Sequence, residues 1–260
     1  MKEFWEKQAL EHGEDVAAVN FDPLEDKFAS ALLDQLVSDG LCVADLGCGN
    51  GRTLIDLAQS RPRGTFVGYD YAENMVRVAE NRRKTAALSN IRFFCFDASS
   101  QTLPTDTHNA FDVVIAKRLL INIKGSPKRQ ALKNVHDMLR PDGKFIMIEC
   151  FIEPLERINE IRAGLGLEQI AVRSFNEYLT RGFLKEVEVH FTVEQFLDIG
   201  SLYYFISRVF NAYLSNGKPD YFAPINQLAS QLVLSGIRPM QGYAPEVTYV
   251  LKKRPQPNSL

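Results

Sequence analysis

The 260-residue sequence has no run of 18 or more apolar residues, so it predicts no transmembrane helix. Its opening, MKEFWEKQALEHGED, spreads charges throughout and lacks an apolar h-region, so it does not read as a secretory signal. Neither sign of charge is in excess: 30 Lys+Arg stand against 32 Asp+Glu, a net charge of −2. Such a balance supplies no overall field to draw the chain to nucleic acid or to an anionic membrane. Cysteine is scarce. There are four, Cys42, Cys48, Cys95 and Cys150, and none forms a CxxC pair. Paired close spacing is what a zinc site favours, so no metal is expected, and the thiols read as buried groups in a reducing cytoplasm. Internal repeats and low-complexity segments are also missing.

What is present is a chain that is 45% apolar, too much for disorder and enough to bury a large core. Short apolar runs alternate with longer helix-like stretches. LCVADLG (41–47), TFVGYD (65–70), IRFFCFD (91–97), FDVVIAK (111–117) and KFIMIEC (144–150) read as strands. Most are nearly continuous in apolar residues, as strands buried on both faces are. Between them, Leu132, Val135 and Leu139 mark a helix over 127–139, and Met75, Val78 and Ala79 mark one over 72–83. The alternation predicts a doubly wound α/β fold with a mostly parallel sheet. After Cys150 the rhythm changes. A helix is expected over 154–165, a half-exposed strand over LKEVEVHF (184–191), helices over 195–214 and 223–235, and a last strand at VTYVLKK (247–253). The first 38 residues read as helical.

VADLGCGNGRT (43–53) ends a strand and opens a helix. Glycines let the backbone turn sharply and approach a ligand closely, and a helix N-terminus presents free N–H groups. The spacing Gly47, Gly49, Gly51 is GxGxG. Arg52 stands where a dinucleotide fingerprint wants a small residue, which counts against a nicotinamide-dependent reductase. Asp70 ends the second strand, placed to accept both hydroxyls of a ribose, and Asp97 ends the third. A single Asp at a strand end is often only a helix cap. Three in order, with the glycine loop on the first, are a stronger pattern.

As a set, Asp45-Leu46-Gly47-Cys48-Gly49-Asn50-Gly51, Asp70, Asp97-Ala98 and LRPDGKFIMIE (139–149) resemble the class I S-adenosylmethionine-dependent methyltransferases. The resemblance spans roughly residues 38–150. It implies a Rossmann-like seven-stranded sheet whose last strands are 184–191 and 247–253. It also implies that Gly47, Cys48, Gly49 and Gly51 lie against the methionine part of the cofactor, with Asp45 near its amino group. Asp70 would hold the ribose, Tyr71 and Met75 would flank the adenine, and Asp97 and Ala98 would meet its edge. Phe4-Trp5 and His12-Gly13 map to the aromatic segment that such proteins place over the cofactor. The Asn/Asp-Pro-Pro-aromatic motif of base-methylating enzymes is missing after the fourth strand, which reads AKRLLINI (116–123).

Methyl transfer from a sulfonium needs alignment above all, and a base only where the acceptor must lose a proton. Residues after the fourth and fifth strands are expected to face the reaction: Lys117 on the cofactor side, then Arg118, Asn122 and Glu149. Glu149, His190 and Asn122 are the catalytic candidates, with a local cap or ion pair as the alternative for each. Arg118, Arg157, Arg162, Arg173, Asn176, Tyr178, Tyr203 and Tyr204 are the acceptor-binding candidates, with surface ion pairing or core packing as the alternative. The organisation expected is an N-terminal helical segment over the cofactor (1–38), a cofactor-binding core (39–150), a C-terminal part with the last two strands and a helical cap (151–253), and a tail (254–260). A small-molecule acceptor, with sugars and natural products foremost, is the partner expected, together with a homodimer through residues 195–235. The rival readings are a non-catalytic regulator that binds the cofactor, and a methyltransferase acting on RNA or protein.

Overall fold

The computed structural model describes residues 1–19, 22–100, 102–217 and 220–255. Tail residues 256–260, and positions 20 and 21 of the helical N-terminal segment, lie outside the described residues. The five strands of the first 150 residues form where the apolar runs predict them: β1 (Cys42–Leu46), β2 (Thr65–Asp70), β3 (Ile91–Cys95), β4 (Phe111–Lys117) and β5 (Leu139–Cys150). With β6 (Phe191–Leu197) and β7 (Glu246–Lys253) they make one seven-stranded sheet of order β3-β2-β1-β4-β5-β7-β6. All pairings among β1 to β5 are parallel, while β7 runs antiparallel to both β5 and β6. The order reverses at β1, which lies between β2 and β4. Such a switch point opens a crevice beyond the carboxyl ends of the strands.

Strand residues alternate between two apolar layers. Val113, Ile115, Ile146 and Ile148 face one side with α2 (Pro23–Leu36) and α3 (Arg52–Ser60). Val114, Ala116, Phe145 and Met147 face the other with α5 (Lys128–Met138). Each large side chain buried this way contributes about 1.5–3 kcal/mol, so the sheet is anchored from both faces. The elements α1 (Lys2–His12), α4 (Glu73–Thr85) and α6 (Ile152–Gly164) complete the helical layers around the first five strands.

The segment 184–191 departs from expectation. It forms a helix, α7 (Leu184–His190), and the sixth strand begins at Phe191. The alternation in LKEVEVHF is real, but Val187 is fully buried with Leu184 packed partly buried beside it, and Val189 is left 68% exposed, as on a helix. Thr180 caps the turn that leads into it, accepting the Phe183 N–H at 3.3 Å. The long helix expected from residue 195 starts only at Ser201, where Asp198 accepts both the Ser201 N–H and its hydroxyl. It runs as α8 (Ser201–Phe205), a π-helical stretch Ile206–Asn211 and α9 (Ala212–Leu214). The last helix, α10 (Pro224–Leu234), packs with α8 around Tyr203 and Phe28. Among the described residues no helix is long and apolar enough to cross a membrane.

Candidate active site

Three glycines at the end of β1 take positive φ, at 82°, 54° and 75° for Gly47, Gly49 and Gly51, and turn the chain into α3. The Gly47 and Cys48 N–H groups donate to the Tyr69 carbonyl at 2.7 and 2.9 Å, and this fixes the loop to β2. Asp70 joins the loop to the next helix: Oδ2 accepts the Gly49 N–H and Oδ1 the Ala72 N–H, both at 2.9 Å. Burial pushes the Asp70 carboxyl up to about 6 despite those bonds. Asp45 is 3% exposed, and its Oδ1 has no hydrogen-bond partner among the described residues. Burial, with the neighbouring Asp70 adding, pushes it up to about 7 against the pull of Lys117. A buried polar atom without a partner is costly, so Asp45 Oδ1 marks a place where a donor belongs.

These groups wall one end of a cavity of about 460 Å³, within the range of small-molecule sites. Trp5, Val19, Tyr71, Met75, Asp97 and Ala98 line the same end. Phe4 stacks on Phe175 at 4.5 Å, so α1 meets the loop after α6 above the cavity. Asn159 holds that loop by exchanging hydrogen bonds with the Ile170 backbone at 2.8 and 2.9 Å.

The other end is charged and aromatic. Lys117 lies 3.0 Å from Asp26, and Arg118 reaches both Asp26 and Glu246 at 3.5 Å. Arg208 pairs with Asp22 at 2.8 Å, and its guanidinium lies over Tyr204 and Tyr221, 5.0 and 4.7 Å from the ring centroids. It belongs to the π-helical stretch, a form that recurs at functional sites. Asn122 bridges two segments: its Nδ2 donates to the Arg118 carbonyl at 2.6 Å and its Oδ1 accepts from Asn176 at 2.9 Å.

A methyltransferase-domain family model matches residues 37–163. A demethylmenaquinone methyltransferase of Lactococcus lactis is 33% identical over 112 residues, 42% of each chain. A carboxy-S-adenosyl-L-methionine synthase of Nautilia profundicola is 24% identical over 175 residues, 65% of this chain and 70% of that one. Among solved structures, a TehB-like S-adenosylmethionine-dependent methyltransferase from Corynebacterium glutamicum aligns with a TM-score of 0.58 at 16% identity, over 98% of this chain and 100% of that one. At that identity the likeness shows the fold alone. The chain carries, over residues 37–163, a methyltransferase domain of the class I S-adenosylmethionine-dependent kind. It spans less than half the length of the lactococcal protein it matches.

The residues present fit this methyltransferase family's cofactor. The unpartnered Asp45 oxygen suits an ammonium donor. A Cβ on Gly49 would sit 2.8 Å from Val19, and one on Gly47 3.0 Å from Leu119, so the loop leaves no room for side chains beside the cavity. Asp45, Gly47, Cys48, Gly49, Asp70, Tyr71, Met75, Asp97, Ala98 and Lys117 all line it. Gly51 does not. Its Cβ would meet Ala79 and Phe93, each at 2.7 Å, so it is a packing glycine between α3 and its neighbours. Lys117 faces the cavity with its ammonium committed to Asp26 and the Thr53 hydroxyl at 2.9 Å. Asp97 is held by the Ser99 and Ser100 hydroxyls at 2.6 and 2.8 Å. Burial would raise its carboxyl, but those bonds outweigh burial and hold it below the usual range.

Other sequence-based candidates of the methyltransferase lie elsewhere. Glu149 is fully buried behind the wall, where its carboxylate accepts the Leu120 and Ile121 N–H groups at 2.7 and 3.3 Å. It props the loop after β4 and does not line the cavity. His190 ends α7, beside His136 with ring centroids 5.4 Å apart, away from the cavity. Arg118, Asn122, Arg173, Asn176, Tyr178 and Tyr204 do line the cavity. Arg157 instead lies over Tyr243, and Arg162 is buried against the Arg208 and Glu168 carbonyls. Tyr203 is fully buried and donates its hydroxyl to Asp22 at 2.9 Å.

Asp22, Glu25, Asp26, Arg208 and Glu246 also line the cavity, and sequence reasoning missed them. Asp22-Pro23 does carry a signal, that of a helix N-cap. The carboxylate does cap α2, accepting from Leu24 and Glu25 at 3.1 and 3.2 Å.

Proposed function

We propose that this protein transfers a methyl group from S-adenosylmethionine to a hydroxyl or amine of a small molecule, with sugars and natural products as the first classes to screen. The observation that carries the reading is the single cavity that joins the glycine loop to an end walled by Asn122, Tyr178, Tyr204 and Arg208. Its limited volume favours a small acceptor over a protein or an RNA. The cofactor supplies a methyl group already activated on a sulfonium.

The chain's own residues bind and orient. Asp45 accepts from the amino group, and Asp70 offers the lone pairs its backbone bonds leave free to the ribose hydroxyls. Met75 and Tyr71 flank the adenine. Asn122, fixed from two sides, aligns the acceptor, and Leu119 and Ile121 keep water from the space between the two ends. The four free cysteines accord with a cytoplasmic, reducing setting.

Calorimetric titration with S-adenosylhomocysteine, on the wild type and on Asp70→Ala, tests the cofactor half. Micromolar binding that the variant weakens supports it. A labelled methyl donor incubated with protein and a small-molecule extract tests the other half. Binding without any labelled product would favour a regulator over an enzyme, and label in protein or RNA would overturn the small-molecule reading.

A further inference from the structure

We propose that the acceptor carries a protonated amine, received at the far end of the cavity by the carboxyl groups of Glu25 and Glu246. The inference rests on the methyltransferase reading above and narrows its acceptor class.

The argument is one of charge balance on the inner wall. Lys117 and Arg118 are engaged with Asp26, Arg118 also with Glu246, and Arg208 with Asp22. Each inner cation therefore already faces a carboxylate, with Arg52 adding to Asp26 from a more exposed position at 3.3 Å. Glu25 lines the same cavity, and among the described residues no side chain donates a hydrogen bond to it or forms an ion pair with it. Glu246, with its side chain 10% exposed, is its neighbour there. Burial and then the Glu246 charge push the Glu25 carboxyl up to about 8. Lys117, Arg118 and Arg208 stand here against four carboxyl groups, Asp22, Glu25, Asp26 and Glu246, so although Arg208 and Arg118 also pull on Glu25, one acid exceeds the cations.

A ligand ammonium meets this need. It brings several N–H donors and one positive charge to a place with spare acceptors and one acid more than the cations beside it. A carboxylate or phosphate placed at this end would meet Glu25 and Glu246, with Lys117, Arg118 and Arg208 already engaged with carboxylates. An alcohol would satisfy one lone pair and leave the charge. Aromatic faces add to the case independently of the acids. Tyr204 and Tyr221 already hold one guanidinium, and Tyr178 and Tyr204 wall the space an ammonium would enter.

The test uses the full chain saturated with S-adenosylhomocysteine and a panel of small ring-bearing amines, phenethylamine and tyramine among them. Each is paired with the alcohol and the carboxylate of the same skeleton, and dissociation constants come from calorimetry. At least one amine is expected to bind roughly 10–100-fold tighter than its alcohol partner, the span of one charge-assisted hydrogen bond. That preference should fall to within about threefold in Glu25→Gln and shrink in Glu246→Gln, while affinity for S-adenosylhomocysteine stays within about twofold. The proposal is overturned if alcohols or carboxylates bind as well as amines, if no amine of the panel binds, or if the preference survives Glu25→Gln. Loss of S-adenosylhomocysteine binding by the wild type would sink the methyltransferase reading itself, so the two failures are distinguishable.

Discussion

The Lys117 ammonium lies 3.0 Å from Asp26 Oδ1, and this pair ties the end of β4 to α2 across the cavity wall. Arg52 and Arg118 approach the same carboxylate at 3.3 and 3.5 Å. Burial alone would raise the Asp26 carboxyl. The Lys117 and Arg118 charges outweigh it and hold the group well below the usual carboxylate range. The N-terminal helix is thus part of the site and not an appendage to it.

Removing that charge takes from Lys117, 11% exposed, the carboxylate it is ion-paired with. Asp26→Asn should cost about 3–5 kcal/mol of stability at pH 7, read from urea unfolding. The sign with pH follows from the lowered folded-state pKa. The contribution is complete above about pH 4 and is lost as pH falls through the lower, folded-state value. The variant should therefore show a flatter acid limb than the wild type, and a loss that persists undiminished at pH 2 would contradict this account.

Asp45 behaves in the opposite sense. Its folded-state pKa is raised to about 7, so the folded protein without ligand binds more protons than the unfolded chain. Stability from this group falls as pH rises from about 4 towards 7. A cationic amino group on the ligand reverses that cost, so S-adenosylhomocysteine should bind more tightly as pH rises from 5.5 to 8. Asp45→Asn should weaken binding by roughly 10–100-fold, abolish most of that pH dependence, and leave ligand-free stability unchanged or higher at pH 8. Calorimetry at four pH values checks all three.

The cofactor end was legible because its residues fall at strand ends, where apolar runs stop and the chemistry is local in sequence. Asp45, Asp70 and Asp97 need only β1, β2 and β3 to be recognised. The other end was legible only in part: Arg118, Asn122, Arg173, Asn176, Tyr178 and Tyr204, named from the sequence, do line the cavity, but its acids and Arg208 were not foreseen. Asp22, Glu25, Arg208 and Glu246 come from α2, the π-helical stretch and the start of β7, and only the closed sheet brings them together. Their local sequences announce a helix cap, a helix and a strand. LKEVEVHF misled for a different reason. It satisfies a period of two and also places Leu184 and Val187 three apart, and packing against α5 decided for the helix. Glu149 stands at the right strand end for a catalytic carboxylate, but the chain after β4 folds back over it.

The three glycines of the loop should separate by substitution. Gly51→Ala sets a Cβ 2.7 Å from both Ala79 and Phe93, at a φ of 75° that disfavours any side chain. Overpacking and backbone strain together should cost about 2–4 kcal/mol in thermal or urea unfolding. Ligand affinity of the protein that remains folded should change little. Gly47→Ala places its Cβ 3.0 Å from the mobile end of Leu119, inside the cavity, so its effect should fall on S-adenosylhomocysteine affinity more than on stability. Equal losses of affinity in the two variants would refute the division between a packing glycine and a lining one.

Glu149 offers the sharpest test of the acceptor wall. Its carboxylate is the partner of two amides in a fully buried setting, at Leu120 and Ile121, and the loop they belong to carries Leu119, Ile121 and Asn122 into the cavity. Glu149→Ala leaves both N–H groups without an acceptor, at about 1–3 kcal/mol each. Glu149→Gln keeps one acceptor oxygen and turns an amide NH2 towards the second N–H, so it should lose about half as much. Hydrogen exchange followed by mass spectrometry should show faster exchange over residues 118–123 in both variants, with Glu149→Ala the faster. Protection over 65–72 should stay as in the wild type, because β2 and its loop contacts do not depend on this carboxylate. Were Glu149 instead the proton acceptor in the reaction, the two variants would be equally inactive and exchange over 118–123 would not change.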